Sequence, residues 1–200
     1  MTRYLPGILA MAIIVVASNI LVQFTVGSWL TWGAFTYPFA FLVTDVINRV
    51  HGAQAARRVV LAGFVIGVIC SLVAAGLDKT TLRIAIGSGA AFFVAQLTDI
   101  AIFDAFRNRR WWVAPFWSSF VGSALDTALF FGIAFTAALP HDVNTAWANE
   151  AVPLLGQGPL TALWVSLATA DWLVKLGLAL LALVPFRIAV RNLLRDRQTI

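Results

Sequence analysis

Six apolar stretches, each about as long as a bilayer-spanning helix, make up most of this chain. Hydrophobic residues account for 60% of the 200 residues and charged residues for only 12%, a composition outside the range of ordinary soluble domains. A helix needs roughly 17–25 mostly apolar residues to cross a bilayer. The predicted helices are Leu5–Val26, Thr31–Asn48, Val59–Leu77, Leu82–Phe106, Val113–Leu139 and Leu160–Phe186. The sequence therefore predicts an all-α integral membrane protein, with residues 1–200 forming one six-helix transmembrane domain.

Two segments depart from this simple pattern. The second predicted helix is short and is interrupted by Gly33 and Pro38, so it is expected to be broken or re-entrant. Such a break is tolerated in a membrane only where protein or a cavity covers the freed backbone groups. The stretch from Pro140 to Pro159 shows no regular pattern and is expected to be the longest loop.

Basic residues predict the orientation. Eleven arginines fall on one side of a six-helix alternation, whereas only Lys79 and Arg83 fall on the other. Cytoplasmic loops are enriched in Lys and Arg, so both termini are predicted to be cytoplasmic. The net charge of +5 is then explained by topology rather than by a nucleic-acid-binding surface. The eleven are Arg3, Arg49, Arg57, Arg58, Arg107, Arg109, Arg110, Arg187, Arg191, Arg195 and Arg197.

Four aspartates lie inside the apolar stretches: Asp45, Asp99, Asp126 and Asp171. A carboxylate inside a bilayer costs several kcal/mol unless it is paired, protonated or facing a wet cavity, and such residues mark a pathway or a binding site. At ~1.5 Å of rise per residue, the polar groups of the last three helices, including Gln96, fall near the middle of their helices. Transporters commonly hold substrate at that depth.

Each aspartate also has a structural explanation. Asp171 and Lys175 are spaced i,i+4 on one helical face and can form an ion pair, either as structure or as part of a site. Asp45 and Arg49 have the same spacing near the interface, where a structural pair is favoured, although Asp45 can serve both purposes. Asp126 has no local cation, which leaves a neutral buried acid or a ligand contact, and we favour the ligand contact.

Other polar and aromatic residues allow two interpretations. Asn19 and Gln23, spaced i,i+4 on the first helix, either extend a cavity or bond a neighbouring helix. Gln96 either contacts a ligand or joins helices, and Ser119 either contacts a ligand or bonds its own backbone. A carboxylate and an amide together suit a flat ligand with N–H donors and carbonyl acceptors, such as a guanine-like edge. Phe39 either stacks on such a ligand or faces lipid or core.

Signatures of catalysis are missing from the sequence. It contains no Gly-rich phosphate-binding loop followed by Lys-Ser/Thr and no HExxH motif. The two histidines, His51 and His141, fall in predicted loops on opposite sides, so we expect no metal site and no cofactor. None of the buried aspartates has the Gly-x-Gly-Asp context of an intramembrane aspartyl protease. An enzyme is therefore not expected, and an intramembrane hydrolase is the least favoured interpretation.

Several long strings resemble one known family. The strings are Thr31–Asp45 (TWGAFTYPFAFLVTD), Asn48-Arg49, Gly52–Arg58 (GAQAARR), Ala95-Gln96-x-x-Asp99 with Phe103, Arg110-Trp-Trp112, Ser118-Ser119, Asp126-Thr127, Phe130-Phe131, Ala134-Phe135, and Asp171, Lys175 and Pro185 in the last helix. Through them nearly the whole chain resembles the queuosine precursor transporter family, also called the vitamin uptake transporter-like family. The family's polar residue one turn before the fifth-helix aspartate is here replaced by Gly122-Ser123.

The resemblance implies a function and a fold. It implies uptake of the queuosine precursors 7-cyano-7-deazaguanine and 7-aminomethyl-7-deazaguanine across the bacterial cytoplasmic membrane, by a secondary transporter or facilitator without a dedicated ATPase. It implies a six-helix fold similar to the substrate-binding subunits of energy-coupling-factor transporters. The alternative is that the chain is itself the binding subunit of an ATP-driven vitamin-type uptake system. The expected partners are the deazaguanine substrate and the lipid bilayer, with a homodimer possible and no nucleic acid.

The residues and the resemblance together give a set of candidate substrate contacts. Asp45, Gln96, Asp99 and Asp126 are the first candidates, because a deazaguanine presents N–H donors to a carboxylate and a carbonyl to an amide. Asp171 and Lys175 are expected to form a polar pair beside the cavity. The remaining candidates are Asn19, Gln23, Thr44, Phe39 and Ser119.

Overall fold

The computed structural model describes residues 4–21, 24–26, 30–139 and 143–198. The helices are α1 (Leu5–Leu21), α2 (Gly33–Thr36), α3 (Phe39–His51), α4 (Ala53–Gly76), α5 (Leu82–Phe106), α6 (Val113–Phe135) and α7 (Leu163–Gln198). Four of them, α4 to α7, are long and apolar enough to cross a membrane, and α1 is a shorter apolar helix. The described chain is therefore a largely helical, multi-span membrane protein, as the sequence predicts.

The second predicted helix is broken where its sequence suggested. Short α2 and α3 are separated by Tyr37 and Pro38. Pro38 has no N–H and its ring crowds the preceding turn. The amides of Ala40 and Phe41 bond the carbonyl groups three residues earlier, those of Tyr37 and Pro38. This tight turn joins two helical pieces in place of one continuous helix.

Two helices, α4 and α7, have ends that differ from the sequence prediction. α5 has the predicted bounds. α4 begins at Ala53 rather than Val59, because one residue, Gly52, ends α3 and lets the next helix begin at once. α7 runs through Pro185 to Gln198 rather than ending at Phe186, because a helix can continue past the apolar stretch that a membrane prediction detects.

Two short hairpins were missed. β1 (Thr25–Val26) pairs antiparallel with β2 (Leu30–Thr31), in a region where the first predicted helix was drawn too long. The segment expected to be an irregular loop contains a 3₁₀ helix, Val143–Asn149, followed by β3 (Ala151–Pro153) and antiparallel β4 (Leu160–Ala162). Both hairpins lie at the same end of the bundle as the start of α7.

α3 is the central element of the packing. It contacts α1, α4, α5 and α7, and α2 packs against both α1 and α7. α5 and α6 form the most extensive helix pair. They approach closely at Gly122, where an added Cβ would lie 2.9 Å from the Phe41 ring and 3.3 Å from Asp99 Cβ. The apolar core around α1, α3 and α4 includes the fully buried Met11 and Val59.

The arginine clusters gather at one end of the bundle. Arg58 donates a 2.7 Å hydrogen bond to the Tyr4 hydroxyl, and Arg187 stacks 4.6 Å from the Trp111 ring centroid. Arg107 donates to the Asn48 side chain from the end of α5. At the opposite end Arg83 donates to two carbonyl oxygens at the end of α6. The grouping of the arginines matches the predicted alternation, and its assignment to the cytoplasm stays a prediction.

Candidate functional site

One group of polar side chains joins α3, α5 and α6 in the bundle interior. Thr44 Oγ1 donates a 2.6 Å hydrogen bond to Gln96 Oε1. Ser118 Oγ donates at 3.0 Å to Asp45 Oδ1, and Ser119 Oγ at 3.4 Å to Asp45 Oδ2. We call this group, completed by Asp99, the Asp45–Asp99 cluster: Thr44, Asp45, Gln96, Asp99, Ser118 and Ser119. It brings together five of the predicted contact residues, namely Thr44, Asp45, Gln96, Asp99 and Ser119.

Three polar atoms of this cluster have no partner among the described residues. They are Gln96 Nε2 and the two carboxylate oxygens of Asp99, and both side chains are fully buried. An unsatisfied buried polar group costs about 1–3 kcal/mol, more when it is charged. Such a cluster is unfavourable as simple structure, so it indicates a place that receives something polar.

A second group joins α6, α7 and the turn between α2 and α3. Lys175 Nζ lies 2.7 Å from Asp126 Oδ2 and 2.5 Å from Asp171 Oδ2. It also donates to Thr127 Oγ1 at 3.1 Å, and that hydroxyl donates to Asp171 Oδ2 at 2.8 Å. With Tyr37 these residues form what we call the Lys175 cluster: Tyr37, Asp126, Thr127, Asp171 and Lys175.

Tyr37 is one of two members, with Thr127, that were not among the predicted contact residues. Its hydroxyl donates a 3.1 Å hydrogen bond to Asp126 Oδ1, and Lys175 Nζ lies 5.6 Å from its ring centroid, within range of a cation–π interaction. The one available signal was its position before Pro38 in the interrupted helix. Through Tyr37 the broken segment is tied directly to the buried charges.

A narrow cavity lies between the two clusters. Its polar lining comes from Asp45, Ser119, Ser123 and Lys175, so it faces both clusters across α3, α6 and α7. Its volume is about 20 Å³, room for about one water molecule. The described conformation is therefore closed, and a molecule much larger than water would enter only after the helices separate.

One predicted pairing needs correction, and one aspartate has a cation that the sequence did not assign to it. Asp45 does not pair with Arg49, because Asp45 accepts from two serines on α6 while Arg49 donates to the backbone carbonyl of Arg107. Asp126 has no local cation, and Lys175 supplies a distant one from 49 residues away. Spacing along one helix cannot predict either result, because both are decided by the packing of neighbouring helices. The predicted Asp171–Lys175 pair is present.

The remaining predicted contact residues lie elsewhere. Asn19 accepts a 3.2 Å hydrogen bond from Ser71 on α4 and donates to the Val15 carbonyl, which agrees with the alternative of a bond between helices. Phe39 is 44% exposed and lies outside both clusters, whereas Phe41, on the inner face of α3, lines the cavity. Gln23 lies outside the described residues.

A multi-span helical bundle with buried carboxylates, a buried lysine and an internal cavity is the architecture of a membrane transporter. Comparison with known proteins agrees. Residues 31–190 match the model of the putative vitamin uptake transporter family. The chain is 30% identical over 204 residues to the queuosine precursor transporter of Escherichia coli K12, covering 92% of this chain and 85% of that protein. The chain belongs to the queuosine precursor transporter family.

Two further relatives support this membership. The probable queuosine precursor transporter of Haemophilus influenzae is 33% identical over 185 residues, which cover 84% of this chain and 72% of that protein. The corresponding Bacillus subtilis protein is 26% identical over 205 residues, covering 90% and 80%. No solved structure matches the chain. Family membership favours transport over catalysis as its activity.

Proposed function

We propose that this protein takes up queuosine precursors across the bacterial cytoplasmic membrane. The substrates would be 7-cyano-7-deazaguanine and 7-aminomethyl-7-deazaguanine, and the protein would act as a secondary transporter or facilitator. The names of the three relatives support the substrate class. The buried polar clusters beside a closed cavity support movement of a polar solute through the bundle.

One observation carries the proposal: the three unpartnered atoms of Gln96 and Asp99 match the edge of a guanine-like base. These residues lie one turn apart on α5, and the unpartnered atoms comprise two carboxylate acceptors and one amide donor. A deazaguanine presents two adjacent N–H donors beside a carbonyl oxygen. Asp99 would accept from the two donors while Gln96 Nε2 donates to the carbonyl.

Thr44 gives this arrangement its direction. An amide side chain can present either its oxygen or its nitrogen. The Thr44 hydroxyl has one proton, and two acceptors lie within reach of it, the Ala40 carbonyl at 3.0 Å and Gln96 Oε1 at 2.6 Å. With the proton in the shorter bond, Thr44 holds the oxygen of the amide and leaves Nε2 for the base. Asp45 and Ser119 would line the entry from the cavity. Asp126 already accepts hydrogen bonds from Lys175 and Tyr37. We therefore assign it to the neighbouring charge network rather than to direct contact with the base.

The membrane arrangement is also part of the proposal. We infer six spans, made by α1, the pair α2–α3, and α4 to α7, in an arrangement similar to the substrate-binding subunits of energy-coupling-factor transporters. The end that carries the arginine clusters would face the cytoplasm. A reporter that is active only in the cytoplasm, fused after Ile200, is expected to give full signal, and an inactive fusion at normal protein level would contradict this orientation.

The functional test uses Asp99→Asn in a strain unable to make the base. The change preserves shape but removes the charged acceptor and points an amide donor at the donors of the base. Loss of a hydrogen bond to a charged group is worth about 1.5–3 kcal/mol, so the uptake efficiency for labelled 7-cyano-7-deazaguanine should fall about tenfold to a hundredfold. Asp104→Asn is the matched control, because Asp104 is exposed on the same helix and pairs with Arg107.

Two results would contradict the proposal. Equal uptake by cells with and without the wild-type protein would refute the function itself, whereas normal uptake by the Asp99→Asn variant would remove Asp99 from the site. Reconstitution of the chain alone in liposomes separates a transporter from the binding subunit of an ATP-driven system. A binding subunit would bind the labelled base but would not carry it into the vesicles.

A further inference from the structure

The Lys175 cluster carries one negative charge more than it can balance. Asp126 and Asp171 contribute two carboxylates, and Lys175 is the single cation that contacts them among the described residues. The Asp126 and Lys175 side chains are 5% and 6% exposed. Placing an unbalanced charge in the membrane interior is costly, so a resting structure of this kind favours the binding of one further positive charge.

One atom of the cluster is available to receive it. Tyr37 donates to Asp126 Oδ1 and Lys175 to Asp126 Oδ2. Asp171 Oδ2 accepts from both Lys175 and Thr127. Asp171 Oδ1 has no hydrogen-bond partner in the described part of the chain, and the Asp171 side chain is 14% exposed. A proton can therefore add to this oxygen without breaking an existing hydrogen bond.

We propose that the Lys175 cluster is a proton-coupling site, in which Asp171 binds one proton for each base that the protein carries inward. The inference rests on the proposed function and adds its driving force. The proton adds to Asp171 Oδ1 from the outer side, which brings the cluster from a net charge of −1 to zero, and it leaves to water on the cytoplasmic side. No other bond is made or broken.

A proton fits this site better than a metal ion. Sodium needs several oxygen ligands around one point, but three of the four carboxylate oxygens already accept hydrogen bonds from protein donors. Among the described residues no group of three or more His, Cys, Asp or Glu side chains is arranged to hold a metal. A single open carboxylate oxygen is sufficient for a proton.

The groups that face the cluster come from each neighbouring element. Asp126 lies on α6, Tyr37 on the turn before α3, and Asp45 on α3, across the cavity that Lys175 also lines. Asp99 on α5 lies in the neighbouring Asp45–Asp99 cluster, fully buried. None of these neighbours is a cation. Lys175 is therefore the one positive charge among them that opposes protonation of Asp171, and Asp126 already shares that charge.

The position of Lys175 explains how the proton would couple to transport. The cluster links α7 to α6 and to Tyr37, which belongs to the segment lying between α1 and α7. While one carboxylate is unbalanced, both aspartates hold Lys175, and the cavity stays closed. Neutralising Asp171 weakens its hold on Lys175, which lets α7 move and admits the base on the other side of the cavity.

The test uses the full-length protein in liposomes with 7-cyano-7-deazaguanine, a neutral base, as the probe. Exchange of labelled for unlabelled base measures transport without a driving force. An outer solution one pH unit more acidic than the interior is then expected to drive accumulation of up to about tenfold, the limit for one proton per neutral base. Entry of the base should also make the outer solution more alkaline.

A variant locates the proton. Asp171→Asn holds the cluster at zero net charge, so exchange should persist while accumulation driven by the pH gradient is lost. Asp104→Asn, on an exposed residue outside both clusters, should retain exchange and accumulation. Accumulation that survives in Asp171→Asn would place the proton elsewhere and overturn the assignment.

Measurements on the wild-type protein alone separate proton coupling from sodium coupling and from transport without coupling. Exchange without accumulation or alkalinisation would overturn proton coupling and leave the proposed function intact. Accumulation driven by a sodium gradient at equal pH would overturn the choice of proton. Absence of exchange would refute the proposed function, and this inference with it.

Discussion

Removing Lys175 is the most direct test of the buried charge network. Lys175→Met keeps an unbranched side chain, one heavy atom shorter, but leaves Asp126 and Asp171 without their cation. Removing one partner of a buried ion pair typically costs 3–5 kcal/mol, because the other charge stays buried and unpaired. The Asp171 side chain is 14% exposed and so is not fully enclosed by protein, and we expect the lower end of this range, about 3 kcal/mol.

The assay is thermal unfolding of the purified protein in detergent, followed by the loss of the monodisperse chromatographic peak. For a chain of this size, 1 kcal/mol shifts the melting midpoint by about 2–4 °C, so the midpoint should fall by roughly 6–12 °C. Lys79→Met is the matched control, since Lys79 is exposed, and its midpoint should move little.

A compensating variant separates charge from packing. Combining Lys175→Met with Asp126→Asn and Asp171→Asn removes all three charges while nearly preserving the volume of the side chains. Replacing a buried ion network by uncharged residues often changes the free energy of unfolding little. At least half of the lost stability should return. An unchanged midpoint in Lys175→Met alone would refute the tightly packed charge network, and no recovery in the triple variant would show that packing, not charge, causes the loss.

Two further predictions concern the packing and the end of α6. Gly122→Ala would place a methyl group 2.9 Å from the buried Phe41 ring, and this overpacking should lower the free energy of unfolding by about 1–3 kcal/mol. Gly132→Ala is the control, because its methyl group meets nothing within 4 Å, and it should be neutral or stabilising. Equal melting midpoints for the two variants would contradict the close contact at Gly122. Arg83→Gln removes the donors to two carbonyl oxygens at the end of α6 and should cost about 1–2 kcal/mol, a loss that thermal unfolding would detect and that Lys79→Gln should not show.

Apolar length predicted the long helices well, because the cost of exposing backbone to lipid leaves few alternatives. α5 begins and ends where its apolar stretch does. Apolar length did not predict helix ends or strands that lie outside the apolar stretches. α7 continues beyond Phe186 into an arginine-containing segment, and the two hairpins depend on pairing between segments rather than on the composition of either one.

The sequence identified the aspartates of the two clusters but not the contacts that they make. Buried aspartates are recognisable from sequence because a charge in an apolar stretch is rare and costly. Which of them meets the lysine is a matter of helix packing, and the Asp126–Lys175 pair spans 49 residues. The contact between Tyr37 and Asp126 spans 89 residues, so no local pattern identifies it. The sequence analysis named Phe39 as a contact, but Phe41 lines the cavity, because the inward face of a short, broken helix depends on its packing against neighbouring helices.

The single-residue link between α3 and α4 makes the centre of the bundle asymmetric. Gly52 has φ of +87°, a conformation that strains any residue with a side chain, and it joins the two helices without slack. The opposite end of α3 meets only the tight turn at Pro38 and the short α2. The central helix α3 is thus joined to α4 by a single residue at its arginine-bearing end, and to the short α2 by the turn at Pro38 at its other end. The two faces of the membrane would consequently open by different motions: a swing of the short half-helix on one side, and a joint tilt of α3 with α4 on the other.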